Sequence, residues 1–110
     1  MKGTYLGEFE EIVLLAVGIL HPEAYGYAIS KEIESQTGRA VSLSAVHSAL
    51  HRLEKKEFLT SRLAEATTSR GGKRRRLFEM TTAGKATLQE AHQVRQRMWA
   101  AVPRLVWEGN

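Results

Sequence analysis

The residues able to do chemistry in this 110-residue chain gather in its middle third. Arg70, Lys73, Arg74, Arg75 and Arg76 place five positive charges in seven positions, around the pair Gly71 and Gly72. Upstream, Ser44, Ala45, His47, Ser48, His51, Arg52 and Lys55 share one side of a helical wheel whose other side is Val46, Leu50 and Leu53. Guanidinium and ammonium groups on an exposed tip neutralise phosphates and release counterions, which gives affinity without sequence choice. Imidazoles, hydroxyls and an arginine at helical spacing can instead bond the edges of bases, and short Ala and Ser side chains let a large partner come close. Together these two sets are the footprint expected for double-stranded nucleic acid. The charge balance agrees: residues 1–38 carry two basic and six acidic groups, residues 39–76 ten and three, and residues 77–110 four and three.

Other chemistries fit less well. His47 and His51 lie four apart with Glu54 three further on, a spacing that could hold a metal. No glutamate follows His47 as a zinc-protease helix would require, and the serine-rich surroundings offer no supporting shell, so the pair is read as polar groups facing the partner. His21 and His92 stand alone. Gly71-Gly72 lacks the G-x-x-x-x-G-K-[ST] pattern of a phosphate loop. There is no cysteine, and no nucleophile lies in evident reach of a base, so neither a cofactor nor an enzymatic activity is expected. The longest apolar run, Ile12 to Leu20, is far short of the roughly 20 residues a bilayer demands. Glu8, Glu10 and Glu11 precede it where a secretory leader would be positive. A soluble, cytoplasmic protein without membrane contact is the expectation.

The elements that must position these residues follow from periodicity. A first helix spans about Leu6 to Leu20, apolar nearly all round and closed by His21-Pro22. A second runs from Ala24 to about Gln36, with Tyr25, Ala28, Ile29 and Ile33 inward and Gly38 as its stop. A third spans Leu43 to Lys56 behind Ser42 as N-cap. Leu59 to Ala66 and Arg74 to Met80 read as two strands joined by a polar, glycine-containing tip. Thr81 caps a last helix from Thr82 towards Trp107, nearly 40 Å at about 1.5 Å per residue, with Pro103 bending or interrupting it one turn from its end. Ala91, Val94, Met98, Ala101 and Leu105 step along it as a heptad-like seam, widened by Trp99, Val102 and Val106. Such a helix is too long for this domain to cover alone. Trp99 and Trp107 suit either a dimer core or a wall on which a flat hydrophobic effector stacks.

Three helices followed by a two-stranded hairpin are the order of a winged helix-turn-helix. In that fold the third helix enters the major groove and the hairpin rests on the flanking backbone. The fold class expected is therefore mainly α with a small β-hairpin: a winged unit over residues 1–80 and a C-terminal dimerisation helix over residues 81–110. The same scaffold used as a protein-interaction module without DNA is the alternative, as is a ligand sensor whose effector enters between paired last helices.

Five stretches, in order and in register over nearly the whole chain, carry a family resemblance: Leu6-Gly7-Glu8-Phe9-Glu10, Ala24-Tyr25-Gly26-Tyr27-Ala28-Ile29, Leu50-His51-Arg52-Leu53-Glu54, Gly71-Gly72-Lys73-Arg74-Arg75 and Met80-Thr81-Thr82-Ala83-Gly84. The chain resembles the PadR family of bacterial transcriptional regulators, in its compact form with a single C-terminal helix. The resemblance implies a homodimeric repressor acting on a palindromic operator near the genes it controls, often those of transporters. It gives Leu43 to Lys56 as recognition helix and Arg70 to Arg76 as wing, and Tyr25 and Tyr27 join the DNA-contacting set. It implies that the last helix packs on the partner subunit, its first helix included, through Leu6, Phe9, Val13, Ala91, Val94, Met98, Trp99, Val102, Leu105 and Val106. The family's usual tyrosine is His47 here. The tryptophan with which some compact members bind planar drugs falls at Arg95, one turn before Trp99, so Arg95 and Trp99 mark the effector position.

Overall fold

The order of elements is α1 (Glu8–Leu20), α2 (Gly26–Thr37), α3 (Leu43–Lys55), β1 (Leu59–Leu63), β2 (Arg76–Met80), α4 (Thr82–Ala101) and α5 (Arg104–Glu108). This computed structural model describes residues 5–65 and 74–109. Val13, Leu14 and Val17 of α1, Ile29 and Ile33 of α2, and Val46, Leu50 and Leu53 of α3 form the core, closed below by Phe58, Leu59 and Phe78 from the hairpin. β1 and β2 pair antiparallel, with Leu59 opposite Met80 and Leu63 opposite Arg76.

Local chemistry shifts several boundaries from those the periodicity implies. α1 starts at Glu8 rather than Leu6, because Gly7 is extended and its N–H donates to the Glu10 carboxylate at 2.9 Å. α2 starts at Gly26 rather than Ala24, because the Ala24 carbonyl accepts the Phe78 N–H at 2.8 Å and holds that segment beside β2. Gly38 ends α2 in the left-handed conformation, φ 76°, which glycine adopts without steric cost. Ser42 caps α3 by accepting the Ala45 N–H. The strands are shorter than expected, five residues each. The last helix stops at Ala101, not near Trp107, since Val102 and Pro103 are extended and only a five-residue α5 follows. The proline expectation holds, and α4 measures about 30 Å rather than 40 Å.

The junction between α3, β1 and α4 is held by backbone. Beyond α3, the Phe58 N–H donates to the Leu53 carbonyl and the Glu57 N–H to the Glu54 carbonyl, the paired bonds of a Schellman motif. Glu57 takes the left-handed position with φ 65°, which costs a non-glycine residue on the order of 1 kcal/mol. Thr81 braces it: its hydroxyl donates to the Glu57 carbonyl at 2.7 Å and accepts the Gly84 N–H at 2.9 Å. Gly84 is thereby pressed onto the chain, and a Cβ built there would sit 2.2 Å from the Phe58 carbonyl oxygen. Beyond Leu88, α4 leaves the core, tied to α1 by an Arg95–Glu11 ion pair at 2.9 Å. The molecule is accordingly elongated, 59 × 32 × 21 Å.

Glu10 is the one buried charged residue among those described, 5% exposed. Besides the Gly7 N–H, its carboxylate accepts from Lys56 Nζ at 2.7 Å and from Arg52 Nε at 2.9 Å. Lys56 also donates to the Tyr5 carbonyl. Burial alone would raise the Glu10 pKa, but the bonds from Lys56, Gly7 and Arg52 outweigh it and hold the carboxyl below the ordinary carboxylate range.

Two outcomes follow for stability. Ala exceeds Gly in helix propensity by about 1 kcal/mol, yet Gly84→Ala should lower unfolding stability by about 2 kcal/mol or more, because the overlap is with backbone; urea denaturation decides the sign. Glu10→Gln should cost about 1–3 kcal/mol at neutral pH, the lower part of the range if the half-exposed Arg52 contributes little. With the folded pKa depressed, this stabilisation is present above the ordinary glutamate value and fades as pH falls through the folded value. Parent and variant should therefore converge in acid denaturation series.

Candidate nucleic-acid interface

α3 buries Val46, Ala49, Leu50 and Leu53 and exposes Ser44, Ala45, His47, Ser48, His51 and Lys55 on its other side. The small side chains near its N-terminal end leave the helix backbone open to a close partner. His47 reaches across to the start of α2, and a Cβ at Gly26 would lie 2.9 Å from its Cε1 atom. Glycine at that point is what lets the imidazole rest against α2.

Tyr25, Gly26, Tyr27, His47, Arg75, Arg76 and Phe78 line one cleft of about 240 Å³ between α2, α3 and the first half of β2. Five residues singled out from the sequence, Tyr25, Tyr27, His47, Arg75 and Arg76, thus meet in one place although they lie on three separate segments. The Arg75 guanidinium carbon is 3.9 Å from the centroid of the Tyr25 ring. Arg74 is exposed beside it. Arg76 donates to Ser61 Oγ at 3.0 Å, and that hydroxyl donates to Glu54 at 2.7 Å. Arg70, Gly71, Gly72 and Lys73 lie outside the described residues. Gly26 is a lining residue that the sequence reading does not single out. The signal for Gly26 was present in the Tyr25-Gly26-Tyr27 triplet, but helical spacing alone does not reveal that a third-helix side chain would pack there.

Arg52 lies on the exposed side of α3, as helical spacing puts it, and its Nε also donates to the Glu10 carboxylate at 2.9 Å, so part of its charge is matched within the protomer. His47, His51 and Glu54 do not form a ligand set; among the described residues no three His, Asp or Glu side chains gather as metal ligands would.

The residues read as an interface between subunits divide in two. Val13 is 0% exposed and belongs to the protomer's own core, which corrects its assignment to a contact surface. Leu6 and Phe9 are partly buried against that same core. Ala91 and Val102 are half-buried, while Val94, Met98, Trp99, Leu105 and Val106 are exposed, Met98 and Trp99 to 65%. Leu15 and Ile19 of α1 are exposed as well, beside Ile33 and Thr37 of α2, a face that the all-round apolar pattern of α1 concealed. Past the break at Pro103, α5 turns back so that Trp107 stacks on Trp99, with ring centroids 4.7 Å apart and planes 15° from parallel. Arg95 points to Glu11 of α1, not along the indole face. Among the described residues no helix is long and apolar enough to cross a membrane.

Comparison with known proteins agrees with this architecture. An uncharacterised protein of Lysinibacillus sphaericus is 32% identical over 102 residues, covering 91% of this chain and 85% of its own length. A PadR family transcription regulator from Clostridium difficile superposes with a TM-score of 0.70 at 27% identity, over 86% of this chain and 97% of that one. Bacillus subtilis PadR, solved in complex with operator DNA, superposes with a TM-score of 0.63 at 21% identity, over 78% of this chain and 47% of that one. The model of the PadR-like transcriptional regulator family matches residues 14–90, more than half of the sequence, and the chain belongs to that family of transcription regulators, whose members are not enzymes.

Proposed function

We propose that this chain is a sequence-specific, DNA-binding repressor that acts in the cytoplasm as a homodimer on a palindromic operator. The observation that carries the reading is the meeting of two surfaces at one cleft: the short-side-chain face of α3 and the arginines at the start of β2. The α3 face suits base edges in the major groove, with Ser48, His47 and His51 as readers. Arg74 and Arg75, with the basic residues that precede them in the sequence, suit phosphates. The family membership and the operator complex of the Bacillus subtilis relative support the same partner. A protein-binding use of the scaffold would favour an apolar centre on this face, and the face is polar and basic instead.

The dimer reading rests on the apolar strip of α4 and α5. Exposed Val94, Met98, Trp99, Leu105 and Val106 form a surface that a second copy would cover. Two α3 helices related by a two-fold axis would then meet half-sites about 34–36 Å apart, or a multiple of that. A small planar hydrophobic effector, if it acts at Trp99, must meet an indole already stacked on Trp107.

Two experiments test this. In gel shifts against the chain's own upstream region and against random duplex, Arg74→Ala with Arg75→Ala should weaken both and flatten the dependence of log K on log salt by about one unit for each phosphate left without its cation. His51→Ala should instead narrow the gap between the two duplexes, by about 1–3 kcal/mol. Equal binding of random and upstream duplex by the parent would rule out sequence-specific regulation, and no binding at all would favour the protein-interaction module. In sedimentation, the parent should run as a dimer and Met98→Glu as a folded monomer, because Met98 is exposed in the protomer; a parent that sediments as a monomer removes the two-fold arrangement.

A further inference from the structure

Tyr25 is the N-cap residue of α2, yet its side chain makes no capping bond. Its backbone is extended, φ −120° and ψ 163°, and the segment is fastened to the hairpin one residue earlier by the bond from the Phe78 N–H to the Ala24 carbonyl. On the hairpin side, Arg75 stands just before β2, and its carbonyl accepts the Ala64 N–H at 2.7 Å. Both backbones are therefore fixed relative to each other before either side chain is considered. The side chains complete the join: the Arg75 guanidinium lies over the half-buried Tyr25 ring at 3.9 Å.

The way a cation is held decides what it can still do. A carboxylate would take up the in-plane N–H groups of arginine, the same groups that bind phosphate in pairs. An aromatic face holds the guanidinium through its π surface and leaves those N–H groups directed outward. Holding the side chain in place beforehand also lowers the conformational entropy given up when it binds. We infer that Tyr25 is a positioning residue for DNA binding: its ring, not its hydroxyl, holds Arg75 flat beside the start of β2, with its donors free for a backbone phosphate. Tyr27 has Lys31 Nζ 5.7 Å from its ring on the same helix, and among the described residues no hairpin cation lies over it. This inference rests on the DNA-binding reading above and adds to it a role that acts through another residue.

The test separates ring from hydroxyl and stack from DNA contact. The side-chain protons of Arg75 should show an upfield ring-current shift in NMR of the free protein, kept in Tyr25→Phe and absent in Tyr25→Leu. In gel shifts with random and upstream duplex, Tyr25→Phe should bind as the parent does. Tyr25→Leu should bind both duplexes about five- to twenty-fold more weakly, for two such stacks in a dimer, with the salt slope nearly unchanged because Arg75 keeps its charge. Arg75→Lys should resemble Tyr25→Leu, since a point charge cannot lie flat on the ring. Three results overturn the inference: Tyr25→Phe as weak as Tyr25→Leu, which would make the hydroxyl the contact; Tyr25→Leu equal to the parent; or no ring-current shift in the parent. Thermal unfolding of each variant separates a loss of fold from a loss of positioning. A parent that keeps the shift but binds no duplex fails the DNA-binding reading itself, and with it the phosphate role given to Arg75, while the stack stands.

Discussion

One carboxylate organises the reading unit. Glu10 sits at the first turn of α1, out of water, and gathers the Gly7 N–H, Lys56 and Arg52. A charge so placed is destabilising unless each oxygen is matched, and here each is. α3 supplies the match, committing Arg52 and the Lys56 that follows its last turn to the protomer itself. The result is orientation: the C-terminal end of α3 is fixed against the start of α1 by bonds that tolerate little sliding. Apolar packing by Val46, Leu50 and Leu53 is nondirectional by comparison, and would permit a family of crossing angles.

A division of labour among the cations follows. Of the basic residues in the middle third, Arg52 and Lys56 serve the fold, and Arg76 serves a chain of hydrogen bonds through Ser61 to Glu54. Arg74 is exposed, and Arg75 is held on an aromatic face. Net charge alone therefore overstates how much positive potential is offered to a partner. It does describe correctly which side of the molecule carries it.

The fold is largely legible in the sequence because its signals are local. Ser42, Gly38, Thr81 and Pro103 each act on the backbone within a turn of themselves, and each ends or begins an element where its chemistry requires. What the sequence conceals depends on partners distant along the chain. The helical wheel places Arg52 on the exposed side, where it stands, but nothing in residues 43–56 announces its bond to Glu10, 42 positions earlier. Val13 is given to the subunit contact although it lies in the protomer's own core, because α1 is apolar on every side, and pattern cannot rank faces that are all apolar. Periodicity starts α2 two residues early because a strand from the far end of the domain claims the Ala24 carbonyl. The stacking of Trp107 on Trp99 requires that the chain reverse at Pro103, whereas proline by itself predicts only a break.

The contact of Gly84 with the Phe58 carbonyl makes the root of α4 a fulcrum without padding. No side chain lies between the helix and the backbone it leans on, so the tilt of α4 is set by two main chains in direct touch. From there the helix runs about 30 Å, and a lever of that length turns a rotation of about 5° at its root into a movement of about 2–3 Å at its tip. In the proposed dimer two such levers would meet, and the distance between the two α3 helices would then be calibrated at a residue buried inside its own protomer.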